Sequence, residues 1–198
     1  MQLDMVHDTQ MAYRKLVDSM SRPGTVSRLG EQANNIGMDT CCFGATVLLA
    51  MVLLDTEVTF KIVSQREEET ARLFNRLTYA REAEAAHADY IFVLRDAKPE
   101  QLEQALRAAK TGDLVNPHMS ATFIVEAETI TNDDDLVLTG PGIKEANGLL
   151  VVRDGSWLEL RNAKNGEFPM GIDMIFVDRD SQAVCLPRTT QIRKRVNE

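Results

Sequence analysis

The chain has 198 residues, a formal net charge of −8, and an ordinary mixture of 44% hydrophobic and 26% charged residues. That composition excludes low-complexity disorder, and the acidic balance excludes a broad electrostatic footprint for nucleic acid or for an anionic membrane. A chain of this length is most simply one domain, residues 1–198, able to bury about 70% of its unfolded surface.

The first residues, Met1-Gln2-Leu3-Asp4-Met5, carry no basic segment ahead of an apolar core, so no signal peptide is expected. The longest apolar stretch, 43–54, falls short of the ~20 residues that span a bilayer. Cys41, Cys42 and Cys185 match neither a zinc-ligand spacing nor a disulfide framework. They read as reduced, buried small hydrophobes, and the expected compartment is cytoplasmic.

In chain order, apolar residues at 13, 16, 17 and 20 predict a helix over 8–20 that buries Tyr13, Leu16, Val17 and Met20 and leaves Arg14 off the stripe. Arg22-Pro23-Gly24 ends it, 26–29 reads as a short strand, and 34–37 as loop. Asp39 or Thr40 is placed to cap a helix over 41–54. That helix is apolar nearly all round, which suits a core helix better than an oligomer interface. Residues 57–63 alternate as a half-buried strand through Val58, Phe60 and Ile62. A helix over 67–78 follows, its Glu67, Glu68 and Glu69 complementing the helix dipole, and 88–94 is a buried strand. Pro99 opens a helix over 98–109 that Thr111-Gly112-Asp113 stops.

Residues 121–130 and 135–139 read as a hairpin about a turn at 132–134, and 154–163 as a short helix around Trp157. The closing hairpin pairs 172–177 with 182–190 across the polar turn 178–181. Its first strand is apolar on both faces except for Asp173, as suits a strand in mid-sheet. The tail from 191, with Arg193, Lys194 and Arg195, reads as a solvated end. Helices come early and hairpins late, which predicts an α/β fold in three layers, α/β/α, around a mixed sheet.

The chemistry visible in the residues is sparse. Gly140-Pro141-Gly142 lacks the spacing of a P-loop, and Pro141 removes a donor, so a tight turn fits better than a phosphate cradle. Lys144, just beyond it, is within reach of an anion there. His7, His87 and His118 have no acidic or cysteine neighbour at ligand spacing, and no metal site is expected. No GxSxG, HExxH or CxxC occurs. Asp173, a carboxylate beside Gly171 and Ile172, is either paired locally with Arg188 or aimed into a polar cleft. Arg188 with Thr189 and Thr190 would suit a phosphate-bearing ligand, through a charge-assisted fork and hydroxyl donors.

Four stretches in order complete the reading: Tyr13-Arg14-Lys15-Leu16 through Arg22-Pro23-Gly24, Leu138-Thr139-Gly140-Pro141-Gly142-Ile143, Phe168-Pro169-Met170-Gly171-Ile172-Asp173, and Leu186-Pro187-Arg188-Thr189-Thr190. Together they resemble the PhnH family, the H subunits of the bacterial carbon–phosphorus lyase core complex. The resemblance implies a fold similar to the large domain of pyridoxal-phosphate-dependent transferases, without the cofactor-binding residues. It implies a homodimer that joins the G, I and J subunits. It also implies a part in the exchange of the adenine of ATP for a phosphonate by subunits G, H, I and L, giving a ribose 1-phosphonate 5-triphosphate. The nucleosidase-like step belongs to subunit I and radical cleavage to subunit J, so no catalytic residue carries over to this chain. The candidate ligand- or partner-binding cluster is Asp173, Arg188, Thr189 and Thr190, with Arg14, Gly140 and Gly142 from the other motifs. Two further readings stand beside the subunit. One is a nucleotide- or phosphonate-binding module that presents ATP. The other is a stand-alone pyridoxal-phosphate transferase, for which Lys61 and Lys144 are the lysines to consider.

Overall fold

The computed structural model describes residues 6–34 and 41–195, so the first five residues and the proposed Asp39 or Thr40 cap lie outside it. The elements run α1 (His7–Ser21), β1 (Ser27–Arg28), α2 (Gly30–Ala33), α3 (Gly44–Leu53), β2 (Thr59–Val63), α4 (Glu67–Thr78), β3 (Arg81–Glu82) and β4 (Tyr90–Val93). They continue as α5 (Pro99–Ala108), β5 (Thr122–Glu126), β6 (Thr129–Thr139), β7 (Asn147–Val152), α6 (Trp157–Lys164), β8 (Asp173–Val177), β9 (Gln182–Leu186) and β10 (Gln191–Lys194). No described helix is long and apolar enough to cross a membrane.

The main sheet has seven strands in the order β1-β9-β8-β5-β4-β2-β3, and a second has three in the order β10-β6-β7. Strands β3, β2, β4, β5 and β8 are mutually parallel, while β9 runs antiparallel to β8 and β1 antiparallel to β9. The expected mixed sheet is therefore present, with β8 in its interior as its doubly apolar sequence requires. One face is covered by α1, α3 and α4, whose Phe74 meets Phe92 edge-on at 4.9 Å. The opposite face is covered by α5, α6 and the small sheet, with Trp157 4.8 Å from Phe176. The third layer is thus part helix and part sheet, rather than the helices alone that α/β/α implies.

Three other expectations need correction. The 121–139 hairpin does not form, because its two halves belong to different sheets. The chain leaves β5 at Ala127 and Glu128, whose N–H groups go to Val177 O and Val152 O, and then enters the small sheet as β6. The polar run 132–135 is an exposed bulge within β6, lying between the register steps Thr131↔Leu150 and Leu136↔Leu149. Its partner β7 has no counterpart in the sequence reading. The tail is not a free solvated end: Ile192 is buried, and β10 pairs with β6 from Leu136 to Thr139, although Arg193 and Lys194 remain exposed. On α1 the buried face is Asp8, Ala12, Leu16 and Ser19, leaving Tyr13 and Val17 exposed. Small residues on that face allow close approach to β9, where Ser19 Oγ accepts the N–H of Cys185 at 3.2 Å.

Helix α3 is a core helix, buried from Ala45 to Ala50. It has no side-chain cap of its own. The cap comes from the end of β5: Glu126, fully buried, accepts from Phe43 N at 2.6 Å, Thr46 Oγ1 at 2.7 Å and Arg95 N at 2.9 Å. One carboxylate thus joins the start of α3 to the end of β4. Burial pushes its pKa up more than these donors and the nearby Arg95 charge pull it down. The folded chain therefore holds that proton more tightly than the unfolded chain, and stability falls as pH rises from the ordinary value of 4.5 through the folded value. Glu126→Gln is expected to flatten that stretch of the pH–stability curve. Glu126→Ala, which strands three donors, should cost about 3 kcal/mol. Urea unfolding from acid to neutral pH measures both.

Candidate functional site

Asp173 opens β8 and Arg188 follows β9, so the hairpin brings them together at the end where the parallel strands begin. The pair is a fork. Arg188 Nη2 lies 2.5 Å from Asp173 Oδ2, while Arg188 Nε and its backbone N–H donate to Oδ1 at 3.3 and 2.7 Å. The last guanidinium nitrogen, Nη1, donates to Pro117 O at 2.5 Å, tying in the 111–120 loop. With side-chain exposures of 18% and 14%, the pair is mostly buried. The local pairing read from the sequence is present, and it uses Arg188 fully.

The Thr189-Thr190 turn, closed by Thr190 N to Pro187 O at 2.9 Å, packs on the Gly-Pro-Gly turn. A Cβ on Gly140, whose φ is +127°, would lie 2.9 Å from Thr189 O. One on Gly142, at φ +82°, would lie 2.3 Å from Ser21 O at the end of α1. Both positions therefore require glycine, for backbone contact and for left-handed geometry. Ile143 N donates to Gly140 O at 3.1 Å, so this segment is a tight turn. Three of the sequence motifs are in this way stacked on one another.

Arg188, Thr189 and Thr190 line a cavity of about 490 Å³, whose other walls come from Pro141, α6, the 165–170 loop and β10. Asp173 stands behind Arg188. Arg14 is exposed on α1 and Lys144 is exposed after the turn, and neither lines the cavity. Helix α6 contributes what sequence reasoning missed. Arg161 is fully buried, donating from Nη2 to Pro187 O at 2.7 Å and from Nη1 to Asn162 Oδ1 at 3.3 Å, while Nε has no partner. Burial pushes its pKa down to about 10, against the pull of the nearby Asp173 charge. The signal was available: Arg161 falls four residues after Trp157, on the apolar face of the predicted helix. Thr190 is 2% exposed, and its Oγ1 also has no partner.

Elsewhere the chemistry is structural. A smaller cavity of about 240 Å³, at the opposite end of the parallel strands, is lined by Arg95, Glu126, Arg153 and Arg179 among others. There Glu126 caps α3, and Arg153 donates from Nη1 and Nη2 to the carbonyls of Leu94, Arg95 and Ala97, while its Nε has no partner and Glu128 and Asp154 supply carboxylates to the same lining. Lys61 is held by Glu67 at 2.5 Å and Glu82 at 3.3 Å. Burial works against its charge, but the two carboxylates outweigh burial and raise its pKa. A Schiff-base lysine needs the reverse. Burial pushes the Cys185 thiol up to about 12, so it is not a nucleophile. His87 and His118 are exposed, and the described residues form no cluster able to hold a metal ion.

These features describe an α/β protein with a polar, arginine-bearing cavity, and among the described residues its lining holds no paired nucleophile and base. The sequence pattern of PhnH, described as bacterial phosphonate metabolism protein, matches residues 2–193, and the chain belongs to that family. It is 31% identical over 186 residues to "Putative C-P lyase subunit protein HtxG" of Stutzerimonas stutzeri, covering 92% of this chain and 85% of that one. It is 27% identical over 204 residues to alpha-D-ribose 1-methylphosphonate 5-triphosphate synthase subunit PhnH of Rhizobium meliloti (strain 1021), covering 96% and 93%.

Removing Asp173 leaves the Arg188 guanidinium without its counter-ion. Asp173→Ala is expected to destabilise the chain by about 3 kcal/mol. The double variant Asp173→Ala/Arg188→Met should recover part of that loss, because no uncompensated charge remains. Urea unfolding of both variants checks this, and a double variant less stable than the single one would contradict the pairing account.

Proposed function

We propose that this chain is a subunit of a carbon–phosphorus lyase assembly and supports the transfer of a phosphonate onto the ribose of ATP with loss of adenine. The observation that carries the reading is family membership over nearly the whole chain, with relatives of similar length named for that complex and that synthase. Within the assembly the chain acts as one PhnH-like domain with a structural or ligand-presenting role, uses no cofactor, and leaves catalysis to partner subunits. Lys164, whose pKa burial lowers, spends its ammonium on Arg107 O and Ala109 O at 2.8 Å, which fits a structural role. A fold similar to that of the pyridoxal-phosphate transferases, and a cytoplasmic location, belong to the same proposal.

The proposed partners are a second copy of this chain and the G, I and J subunits. A groove between α1 and the end of α3, lined by Val6, Tyr13, Met51 and Val52 with the polar Thr9 and Gln10, supports a contact with such a partner. The stand-alone transferase reading is weakened by the ion-paired state of Lys61 and by the exposed position of Lys144 outside the cavity.

A tagged chain expressed with its genomic neighbours is expected to elute in stoichiometric complex with the G, I and J subunits. It should stay colourless with pyridoxal phosphate. A lone chain that turns yellow with the cofactor would overturn the proposal.

A further inference from the structure

Arg161 presents an unusual charge state for a protein interior. It is fully buried, yet among the described residues no carboxylate lies within ion-pair distance of it. Burying a guanidinium costs several kcal/mol unless a counter-charge offsets it. Asp173, whose charge acts on Arg161, is already committed to Arg188 through three contacts. Among the described residues the cavity lining contains two arginines and no carboxylate. With one arginine neutralised by Asp173 from behind, the cavity keeps a net charge of about +1 in a chain whose total is −8.

Two unsatisfied donors lie buried in the cavity wall. Arg161 Nε–H and the Thr190 hydroxyl both belong to residues that line the cavity, both are buried, and neither has a hydrogen-bond partner. Buried polar groups are normally paired, and an orphaned donor in a polar cavity marks the place of an absent acceptor. A buried cation beside a buried hydroxyl donor calls for an acceptor that is negatively charged and has several oxygens. The walls also have an apolar side: Phe168 is 76% exposed, and Pro141, Met170 and Ile192 accompany it. At about 490 Å³ the space exceeds what a bare oxyanion fills and falls within the range of small-molecule sites.

We infer that this cavity binds the tetrahedral oxyanion of an organic phosphate or phosphonate, with Arg161 and Thr190 as its direct contacts. The organic part lies toward Phe168 at the rim. Arg188, which the sequence singles out, acts as a positioning residue: its fork with Asp173 sets the 187–190 turn that carries Thr190 and accepts from Arg161 at Pro187 O. The presence of an anion site rests on geometry alone. The choice of a phosphorus oxyanion rests on the subunit reading given above.

The test is calorimetric titration of inorganic phosphate, methylphosphonate and ATP at low salt, into the purified chain and into the co-purified complex. Wild type is expected to bind at least one probe, with affinity falling as salt rises. Thr190→Val removes a hydroxyl that bonds nothing else, so folding is preserved, and affinity should drop about tenfold. Arg161→Met should abolish binding and the ligand-induced rise in melting temperature. Without ligand, its melting temperature should equal or exceed that of wild type, because an uncompensated buried charge is gone. Binding of ATP alone assigns the oxyanion to the nucleotide, and binding of methylphosphonate alone assigns it to the phosphonate. Both outcomes support the site. Failure of all three probes on chain and complex, or binding that both substitutions leave unchanged, overturns it. A complex that assembles normally while binding nothing would sink the site and leave the subunit reading standing. A chain that binds an oxyanion yet never joins the G, I and J subunits would do the reverse.

Discussion

The fork between Asp173 and Arg188 is the interaction on which the candidate site depends. It fixes the start of an interior strand, β8, to the residue that follows the neighbouring strand, and through Pro117 it also holds the loop that leads into β5. With Arg188 anchored, the Thr189-Thr190 turn has a defined position. The glycines of the 140–142 turn then let that segment pack against backbone on both sides. The end of α1, the 140–142 turn and the 187–190 turn become one unit, with a cavity on its α6 side. Removing the fork would loosen three segments that are far apart in sequence.

Two arginines of the same cavity show how environment separates their roles. Arg188 spends every guanidinium nitrogen on protein acceptors, so its charge is neutralised and its geometry fixed. Arg161 is more deeply buried and less satisfied, and its charge is left over. From a sequence the first is conspicuous, because it stands beside two threonines at a strand end. The second is hidden within an ordinary amphipathic helix.

Much of the fold was legible in the sequence, for physical reasons. The closing hairpin, the helices α4, α5 and α6, and the buried strands β4 and β8 are announced by periodicity and by Pro or Gly punctuation. The Asp173–Arg188 pair followed from hairpin geometry alone. What stayed hidden depends on long-range pairing. The polar run at 132–135 resembles a turn locally, yet β7 and β10 hold it within a strand, and no local signal reports those partners. The cap of α3 comes from Glu126, which lies 80 residues beyond Thr46. On α1, close packing on β9 favours Ala12 and Ser19 over the bulkier Tyr13 and Val17, a preference that apolar periodicity does not report. At the site, the cluster 188–190 was legible, whereas Arg161 joins it only through the tertiary position of α6.

The role proposed for this chain is service in phosphonate catabolism as a non-catalytic member of a larger assembly. The most direct measurement is reconstitution by omission, following phosphorus resonances in a mixture of ATP, methylphosphonate and the G, I and L subunits, with and without this chain. A ribose 1-phosphonate 5-triphosphate is expected only when the chain is present, with no turnover by the chain alone. Equal product formation in its absence, or turnover by the isolated chain, would contradict it.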